Sequence, residues 1–354
     1  MGRRLLVVSK EFPPEPGGVA DYCALWLDEV IGETEDWDVT ILTQPWVGRK
    51  PFGGVDTVEI ERWTPSSVRR VLRSVRPDSV VFHYVPHMYQ KQGVPVMIPV
   101  LVLLMRWHTS NLVVLFHEMA SNQARLKPRL LLPIQGAIVA LLSSSAHRTV
   151  VTIASRARSL GSRIPWVRKK ISVIPISPTL RGIRRGTPTG GGVLRLLHFG
   201  SSHPSRDFSL IVDALDRLDS IGVAYELRVV GTAAAPDSRA TLLGYCAENV
   251  VTQELFDADI VLLPFTDGAS GRRSTIANSL AAGRAVVSTA GADTDVEWYG
   301  NSLLLAHERN QFPDLVESLA VDEAARKAQG ENAYRWAVQN VSWARTAEQW
   351  KAIL

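Results

Sequence analysis

Cysteine is scarce in this chain of 354 residues: only Cys23 and Cys246 are present, and they lie far apart. Two distant cysteines exclude a disulfide framework and a zinc cluster built on cysteine, and they favour a reducing compartment. With 46% hydrophobic and 21% charged residues, the composition also excludes a disordered or collagen-like chain. At roughly 150 residues per domain, the length predicts two domains.

Long hydrophobic runs are also absent. The apolar run near the N-terminus, Leu5–Val8, is too short for the core of a signal peptide and predicts a buried strand. The longer stretches Val94–Met105 and Leu130–Leu142 fall short of the roughly 20 residues that span a bilayer. Each predicts a buried helix, with an interfacial helix lying among lipid headgroups as the alternative. The expected location is the cytoplasm, with peripheral association at the inner face of the membrane left open.

Acidic residues are nearly missing from one region. Residues 62–185 contain 20 lysines and arginines but only two acidic residues, Asp78 and Glu118. Residues 1–186 carry a net charge of +11 and residues 187–354 one of −7, which predicts two modules with different electrostatic partners. Because no nucleic-acid-binding motif is present, an anionic membrane surface or an anionic acceptor is expected rather than nucleic acid. A scattered, solvated basic surface is the simpler alternative.

Short runs of valine, isoleucine and leucine alternate with helix-like segments along the whole chain. Such runs are typical of strands covered on both faces, and the repeated order of strand and helix predicts parallel, doubly wound sheets. The predicted strands are Leu5–Ser9, Asp38–Thr43, Ser79–Val85, Leu112–His117, Thr149–Ile153, Ile171–Ile176, Leu194–Gly200, Glu226–Gly231, Ile260–Phe265 and Ala285–Thr289. The predicted helices are Ala20–Ile31, Ser66–Ser74, Lys127–Leu142, Ser209–Asp219, Ser274–Ala282, Asn310–Ala320 and Trp343–Leu354.

A stretch rich in glycine and arginine, Thr179–Gly192, separates the two series and predicts a linker. The sequence therefore predicts an α/β protein with two Rossmann-like domains facing each other across a cleft. The first domain covers residues 1–178 and the second residues 193–340. The last helix, within residues 341–354, is expected to pack back toward the first domain.

Two loops carry residues suited to binding anions. In the first loop, residues 11–22, Gly17 and Gly18 precede a predicted helix, where positive φ and free amides favour an anionic ligand. In the second, residues 264–283, Arg272 and Arg273 stand before Ser274 and Thr275, which are predicted to cap a helix. Guanidinium groups, helix amides and a hydroxyl suit a diphosphate leaving group. A tight turn and a solvated arginine pair are the respective alternatives.

The segment at residues 83–90 contains two histidines four positions apart, His83 and His87. This spacing binds metal on a helix, but Pro86 between them favours a loop. We therefore expect no metal, and we interpret the segment as a loop that contacts the acceptor through its aromatic rings.

Several motifs, in the same order along the chain, resemble those of family-4 glycosyltransferases, which have the GT-B fold. Phe12-Pro13-Pro14 with Gly17-Gly18-Val19 resembles the opening loop of the family, and His117-Glu118 its histidine–acidic pair. Phe199-Gly200 and Arg206-Asp207 are similar to the start of the family's second domain. The segments at residues 258–264 and 279–288 are similar to the strand before its donor loop and to the helix, turn and strand after it.

The resemblance implies transfer of a sugar, with retention, from a nucleotide-sugar donor to a glycan, lipid-linked or small-molecule acceptor. It implies His117 and Glu118 at the catalytic site, and no cofactor or metal besides the donor. The two glutamates usual in the family are replaced by Ser270 and Asn278, which leaves a glycan- or partner-binding pseudo-glycosyltransferase or a GT-B sugar-nucleotide epimerase as alternatives. The residues expected to bind the donor are Gly200, Ser201, Arg206, Arg272, Arg273, Ser274, Thr275 and Asn278. Gly17 and Gly18 belong to the same expected ligand-binding site and present the acceptor together with residues 83–90.

Overall fold

The computed structural model describes residues 2–15, 17–32, 37–49, 52–53, 55–119, 128–186, 192–200, 204–232 and 234–354. The chain forms two compact units. The first comprises Met1–Ile174 together with Thr346–Leu354, and the second comprises Pro175–Arg345. The division therefore lies four residues before the predicted domain boundary.

The first unit contains a parallel sheet of seven strands. Its strand order is β3-β2-β1-β4-β5-β6-β7, which is the Rossmann order extended by one strand. The central strands β1, β4 and β5 are almost wholly buried, because helices cover both faces of a parallel sheet. The strands are β1 (Arg3–Val8), β2 (Trp37–Thr43), β3 (Asp56–Glu59), β4 (Ser79–Tyr84), β5 (Asn111–Phe116), β6 (Arg148–Val151) and β7 (Ile171–Val173).

Among the described residues, six α-helices lie between these strands: α1 (Gly18–Trp26), α2 (Pro65–Val75), α3 (Pro86–Tyr89), α4 (Ile98–His108), α5 (Pro128–Ser145) and α6 (Ala154–Arg163). A π-helical turn, Leu27–Ile31, continues α1, and a 3₁₀ helix, Pro165–Lys170, follows α6. Helix α4 packs between α2 and α5, and the three share a core with inward side chains of β1, β4 and β5.

The second unit contains a parallel sheet of six strands in the order β10-β9-β8-β11-β12-β13, again the Rossmann order. The described residues of this unit include two apolar clusters, and each contains side chains of the sheet and of its helices. The strands are β8 (Leu194–Phe199), β9 (Tyr225–Val230), β10 (Ala240–Gly244), β11 (Ile260–Leu263), β12 (Ala285–Thr289) and β13 (Leu304–Ala306). The helices are α7 (Phe208–Ser220), α8 (Glu248–Asp257), α9 (Ser274–Ala281), α10 (Val296–Tyr299), α11 (Gln311–Val321), α12 (Glu323–Asn340) and α13 (Trp343–Lys351), whose last residues belong to the first unit.

The predicted fold class, two Rossmann-like parallel α/β domains, is confirmed. The predicted linker differs from the structure in its described part, residues 179–186, because backbone hydrogen bonds attach it to the second unit. The amides of Thr179 and Leu180 bond to Asn278, and that of Gly186 bonds to the Ala282 carbonyl at 3.2 Å. Residues 187–191 of the predicted linker lie outside the described residues.

Each of the two long apolar stretches forms most of a helix, the first of α4 and the second of α5. The prediction that they are buried is correct only for their inward faces, since each helix also exposes apolar side chains. Within the described residues, no helix is both long enough and apolar enough to cross a membrane.

Candidate functional site

The candidate site lies at the carboxyl ends of β8 and β11 in the second unit. In the Rossmann order these two neighbouring strands form the switch point of the sheet, where ligands bind beyond the strand ends. Gly200 follows β8, and the loop at residues 264–273 leads from β11 to α9. Both loops belong to the stretches that the sequence identifies as motifs.

Three predicted residues meet at Gly200. Its φ is 122°, a conformation that other residues rarely adopt. A Cβ added there would overlap the guanidinium of Arg206 and would lie 3.0 Å from Cγ2 of Thr275. Glycine at this position therefore lets Arg206 and the first turn of α9 come together beside the end of β8.

Two arginines contact the ring of Phe265, which is buried. The guanidinium carbon of Arg273 lies 3.7 Å from the ring centroid, and that of Arg206 lies 5.2 Å from it. The pKa of each group is lowered to about 10, first by burial and second by a neighbouring positive charge, that of Arg273 for Arg206 and that of Arg272 for Arg273. Both groups still carry their charge at neutral pH, so this region holds two poorly solvated cations that suit a dianion.

His198 completes the site and was not identified from the sequence. Its side chain is fully buried on β8; Nδ1 lies 2.8 Å from the Leu262 carbonyl, and Nε2 lies 3.4 Å from Nη1 of Arg206. Burial, with the charge of Arg206, lowers its pKa to about 3. The ring is therefore neutral: it donates to Leu262 through Nδ1, which leaves Nε2 to accept from Arg206. The sequence could not identify this role, because His198 lies within an apolar strand and nothing next to it in the sequence marks Arg206 as its partner.

Arg272 and Arg273 share an acidic partner. Asp267 forms ion pairs with both, and Asp293 forms a second one with Arg272, at 3.1 Å between Oδ2 and Nε. Nε of Arg273 is buried and has no hydrogen-bond partner. Arg272 thus links the loops that follow β11 and β12, while Arg273 retains an unused donor.

The predicted helix cap is wrong. Helix α9 begins at Ser274, its N-cap is Arg273, and no side chain caps it. The backbone turns into the helix before Ser274, so both hydroxyl-bearing residues lie in the first turn rather than ahead of it. Ser274 and Thr275 therefore bring their amides and hydroxyls to the site without the predicted cap.

Asn278 is buried and bonds to the chain at residues 179–180. Its Oδ1 accepts from the amides of Thr179 at 2.8 Å and Leu180 at 3.2 Å, and its Nδ2 donates to the Thr179 hydroxyl at 3.4 Å. These bonds use both the oxygen and the nitrogen of the side-chain amide, so Asn278 holds residues 179–180 in place. The predicted contact of Asn278 with a nucleotide ribose stays a prediction. Ser270, at the other replaced position, is buried and its hydroxyl has no partner. Ser201 lies outside the described residues.

In the first unit, His117 follows β5 and contacts a second histidine. Nε2 of His117 lies 3.1 Å from Nδ1 of the buried His83, and Arg156 donates to the His117 carbonyl at 2.7 Å. Burial, with the charge of Arg156, lowers the pKa of His117 to about 3, so the ring is neutral at physiological pH. Glu118 is half-buried at the next position.

The predicted loop at residues 83–90 is wrong in part, because Pro86–Tyr89 forms the short helix α3, with Pro86 in its first turn. Proline is tolerated there because the first helical amides have no intrahelical partner. His83 turns to His117, whereas Nδ1 of His87 lies 3.1 Å from the Lys91 carbonyl. Among the described residues, no group of three or more histidine, cysteine or acidic side chains is arranged to hold a metal ion.

Gly17 and Gly18 lie at the start of α1, as predicted, but neither adopts the left-handed backbone conformation that the prediction invokes. Gly17 is the N-cap with an extended backbone, φ 165°, and Gly18 is the first helical residue. A Cβ added to Gly17 would lie 3.1 Å from Oε2 of Glu11. A Cβ added to Gly18 would have no other atom within 4 Å. The two glycines leave the start of the helix bare of side chains.

Solved structures resemble the whole chain. WaaG, a glycosyltransferase of lipopolysaccharide biosynthesis, is 14% identical with a TM-score of 0.68, over 99% of each chain. The fold is GT-B. A TarM variant from S. aureus, crystallised with fondaparinux, alpha-GlcNAc-glycerol and UDP, is 9% identical with a TM-score of 0.71, over 99% of each chain.

A third GT-B structure, a UDP-forming trehalose-phosphate synthase from Burkholderia xenovorans, is 12% identical with a TM-score of 0.68, over 99% of this chain and 98% of that one. No family model and no curated protein matches the sequence. At these identities, the similarity establishes the GT-B fold.

Proposed function

We propose that this GT-B protein is a glycosyltransferase that moves a sugar, with retention, from a nucleotide-sugar donor to a glycan, lipid-linked or small-molecule acceptor. The observation that carries the proposal is the pair Arg206 and Arg273 on Phe265, beside Gly200 at the carboxyl edge of the second sheet. The solved structures with this fold include glycosyltransferases, one of them crystallised with UDP.

The two arginines are the proposed diphosphate ligands of the second unit. Breaking the bond between sugar and nucleotide adds negative charge to the leaving diphosphate. Cations already placed in a poorly solvated site stabilise that charge more than water does. The unused Nε donor of Arg273 and the first-turn amides of Ser274 and Thr275 offer further hydrogen bonds to phosphate oxygens.

The first unit supplies the proposed acceptor site, near Gly17, Gly18 and His117–Glu118. A neutral His117 exchanges hydrogen bonds with a sugar hydroxyl but carries no charge at physiological pH. In the retaining reaction, the acceptor proton goes to a phosphate oxygen of the departing nucleotide. An inverting reaction would instead need a carboxylate base, for which Glu118 is the candidate.

A binding screen tests the donor site. Heat stability is measured with UDP, GDP and ADP and with their common sugar conjugates, and the best nucleotide is titrated calorimetrically. We expect Arg206→Ala and Arg273→Ala each to weaken its binding about tenfold or more, while Arg335→Ala, at an exposed arginine of the same unit, leaves it unchanged. If neither site variant changes the affinity, the diphosphate assignment is wrong.

Stereochemistry and cofactor dependence need a turnover assay. NMR of the first product formed should show the anomeric configuration of the donor. Because Arg206 and Arg273 supply the positive charge in this proposal, EDTA should leave the rate unchanged. A product of inverted configuration would exclude the retaining mechanism but would not contradict the proposed diphosphate ligands.

A second candidate function is a pseudo-glycosyltransferase that binds glycans or a partner. It is favoured by Ser270 and Asn278, since neither replaced position carries a carboxylate and Asn278 is engaged with Thr179 and Leu180. Nucleotide sugars that stabilise the protein without being consumed, under any acceptor supplied, would favour this candidate. We also propose a cytoplasmic location, in keeping with the two distant cysteines, and an anionic acceptor or membrane surface as partner of the basic first unit.

A further inference from the structure

Two histidine side chains of the first unit meet at the carboxyl ends of β4 and β5. The register pairs His83 with Leu115, and His117 lies two residues beyond Leu115, so both histidines project from the same face of the sheet. Nδ1 of His83 lies 3.1 Å from Nε2 of His117, and the ring centroids are 5.2 Å apart. The parallel pairing of the two strands therefore brings the rings within hydrogen-bond distance.

Both rings are neutral at physiological pH. Burial lowers the pKa of each imidazole first, and a neighbouring group lowers it second, His117 for His83 and Arg156 for His117. Each neutral ring has a proton on one nitrogen and a lone pair on the other. A hydrogen bond between them therefore has one donor and one acceptor, and the position of the proton on one ring fixes its position on the other.

The surroundings of His83 indicate which ring donates. His83 is fully buried, and among the described residues its Nε2 has no hydrogen-bond partner. The ring of Trp26 lies 6.1 Å away between centroids, at an interplanar angle of 77°, and its only polar group is an N–H, which cannot accept. Buried N–H groups without an acceptor are rarer in proteins than buried acceptors without a donor. Nε2 of His83 therefore has the lone pair, and the proton of His83 is on Nδ1, which faces His117.

We infer that His83 is a positioning residue for His117: it donates from Nδ1 to Nε2 of His117 and so holds the proton of His117 on Nδ1. The bond to His83 uses Nε2 of His117, so Nδ1–H is the ring donor that remains for a ligand. The inference rests on the proposed function, in which His117 contacts a sugar hydroxyl. It specifies that contact, because His117 then donates to the hydroxyl oxygen and does not accept from it.

A His117 ring held in this form cannot act as a general base. Its Nε2 lone pair accepts from His83 and its Nδ1 already has a proton, so neither nitrogen can take the proton of an acceptor hydroxyl. His117 instead orients a sugar by donating to one of its oxygens. This role agrees with the retaining reaction, in which a phosphate oxygen takes the acceptor proton, and it leaves Glu118 as the candidate base of an inverting one.

Nitrogen NMR tests the inference on the full-length protein without an assay of activity. Ring nitrogens with and without a proton differ in chemical shift, so isotope labelling of the eight histidines reports the tautomer of each. The signals of His83 and His117 are assigned by their loss in His83→Asn and His117→Gln. We expect both rings to be protonated on Nδ1 at neutral pH. A proton on Nε2 of His117 would overturn the inference.

Two substitutions separate positioning from packing. His83→Asn keeps a side-chain N–H close to the place of Nδ1 and should leave the tautomer of His117 unchanged. His83→Leu has a similar size but no donor, and it should let the proton of His117 move to Nε2. The matched control is His108→Asn, at a histidine of α4, which should leave His117 as it is in wild type. An unchanged His117 tautomer in His83→Leu would also overturn the inference.

Kinetics give a second measurement once a donor and an acceptor are known. His83→Leu should lower kcat about tenfold and leave the Kd of the nucleotide unchanged, because the proposed diphosphate ligands lie in the second unit. His83→Asn should recover most of the lost rate, and equal losses in the two variants would contradict positioning by a hydrogen bond. If the protein transfers no sugar, the proposed function fails, whereas the NMR spectra still decide the tautomer of His117.

Discussion

Nε2 of His198 lies 3.4 Å from Nη1 of Arg206, and the remaining ring nitrogen of His198 is bound to the Leu262 carbonyl. A neutral histidine inside the sheet therefore sets the direction of an arginine at its edge. The hydrogen bond to Leu262 settles which ring nitrogen accepts, because only the other one has a lone pair to offer. His198 is thus a positioning residue for the proposed diphosphate site.

Replacing His198 tests that role. In His198→Phe, Arg206 loses its acceptor and the Leu262 carbonyl its donor, so we expect the Kd of the best-binding nucleotide to rise about tenfold. His198→Gln retains one donor and one acceptor and should raise the Kd less. Calorimetric titration at neutral pH measures both. A His198→Phe protein with wild-type affinity would show that Arg206 needs no help from the ring.

The same histidine predicts an acid dependence of stability. The folded protein keeps His198 neutral down to about pH 3, whereas the unfolded chain protonates it near 6.5. Between these values the unfolded state binds more protons, so this contribution to stability is present above pH 6.5 and is lost as the pH falls. Wild type should lose about 2 kcal/mol more than His198→Gln between pH 6.5 and pH 5. Urea unfolding at the two pH values gives the difference, and parallel losses would contradict it.

Asn278 should contribute to stability rather than to donor binding. Asn278→Ala leaves the amides of Thr179 and Leu180 without their acceptor, which should lower the free energy of unfolding by about 3 kcal/mol. Asn249→Ala, at an exposed position of α8, is the control and should change it little. Denaturant unfolding measures stability and nucleotide titration measures binding. If the Asn278→Ala protein is as stable as wild type but binds the nucleotide more weakly, Asn278 contributes to donor binding instead.

The loops after β11 and β12 meet through two glycines. Gly268 has φ 87°, and a Cβ there would overlap Gly291 and the Thr294 hydroxyl. Gly268→Ala should therefore cost about 3 kcal/mol or more, from backbone strain and overlap together. Gly222→Ala, with φ 72° but open space around it, carries the strain alone and should cost about 1 kcal/mol. Similar unfolding midpoints for the two variants would mean that the loops separate easily.

The central strands were predictable because a strand that is buried on both faces consists of a continuous run of apolar residues. Strand β12 matches its prediction residue for residue, and β2 differs by one. Three strands at or near the sheet edges, β3, β10 and β13, were missed. Their side chains are largely half-buried or exposed, so no apolar run or regular alternation marks them.

The candidate site was predictable where chemistry follows a strand, as with Gly200, Arg206 and Arg273. It was not predictable where a role depends on a side-chain partner that the fold supplies and that no local sequence pattern marks. Asn278 binds Thr179 and Leu180, Arg272 binds Asp293, and His198 binds Arg206 across a turn. The sequence also left open whether α4 is buried all round, because an apolar helix shows no polar stripe to mark the side chains that face outward.

Trp350 packs edge-on against Trp26 at 4.9 Å between ring centroids, and both are fully buried in the first unit. The whole second unit is therefore an insertion within the first. A protein shortened to residues 1–174 would lack Trp350 and leave the side of Trp26 that it covers open to water. During synthesis, the first unit acquires its last buried side chains only after the second unit has left the ribosome. The second unit, continuous in sequence, is free to finish folding before the first.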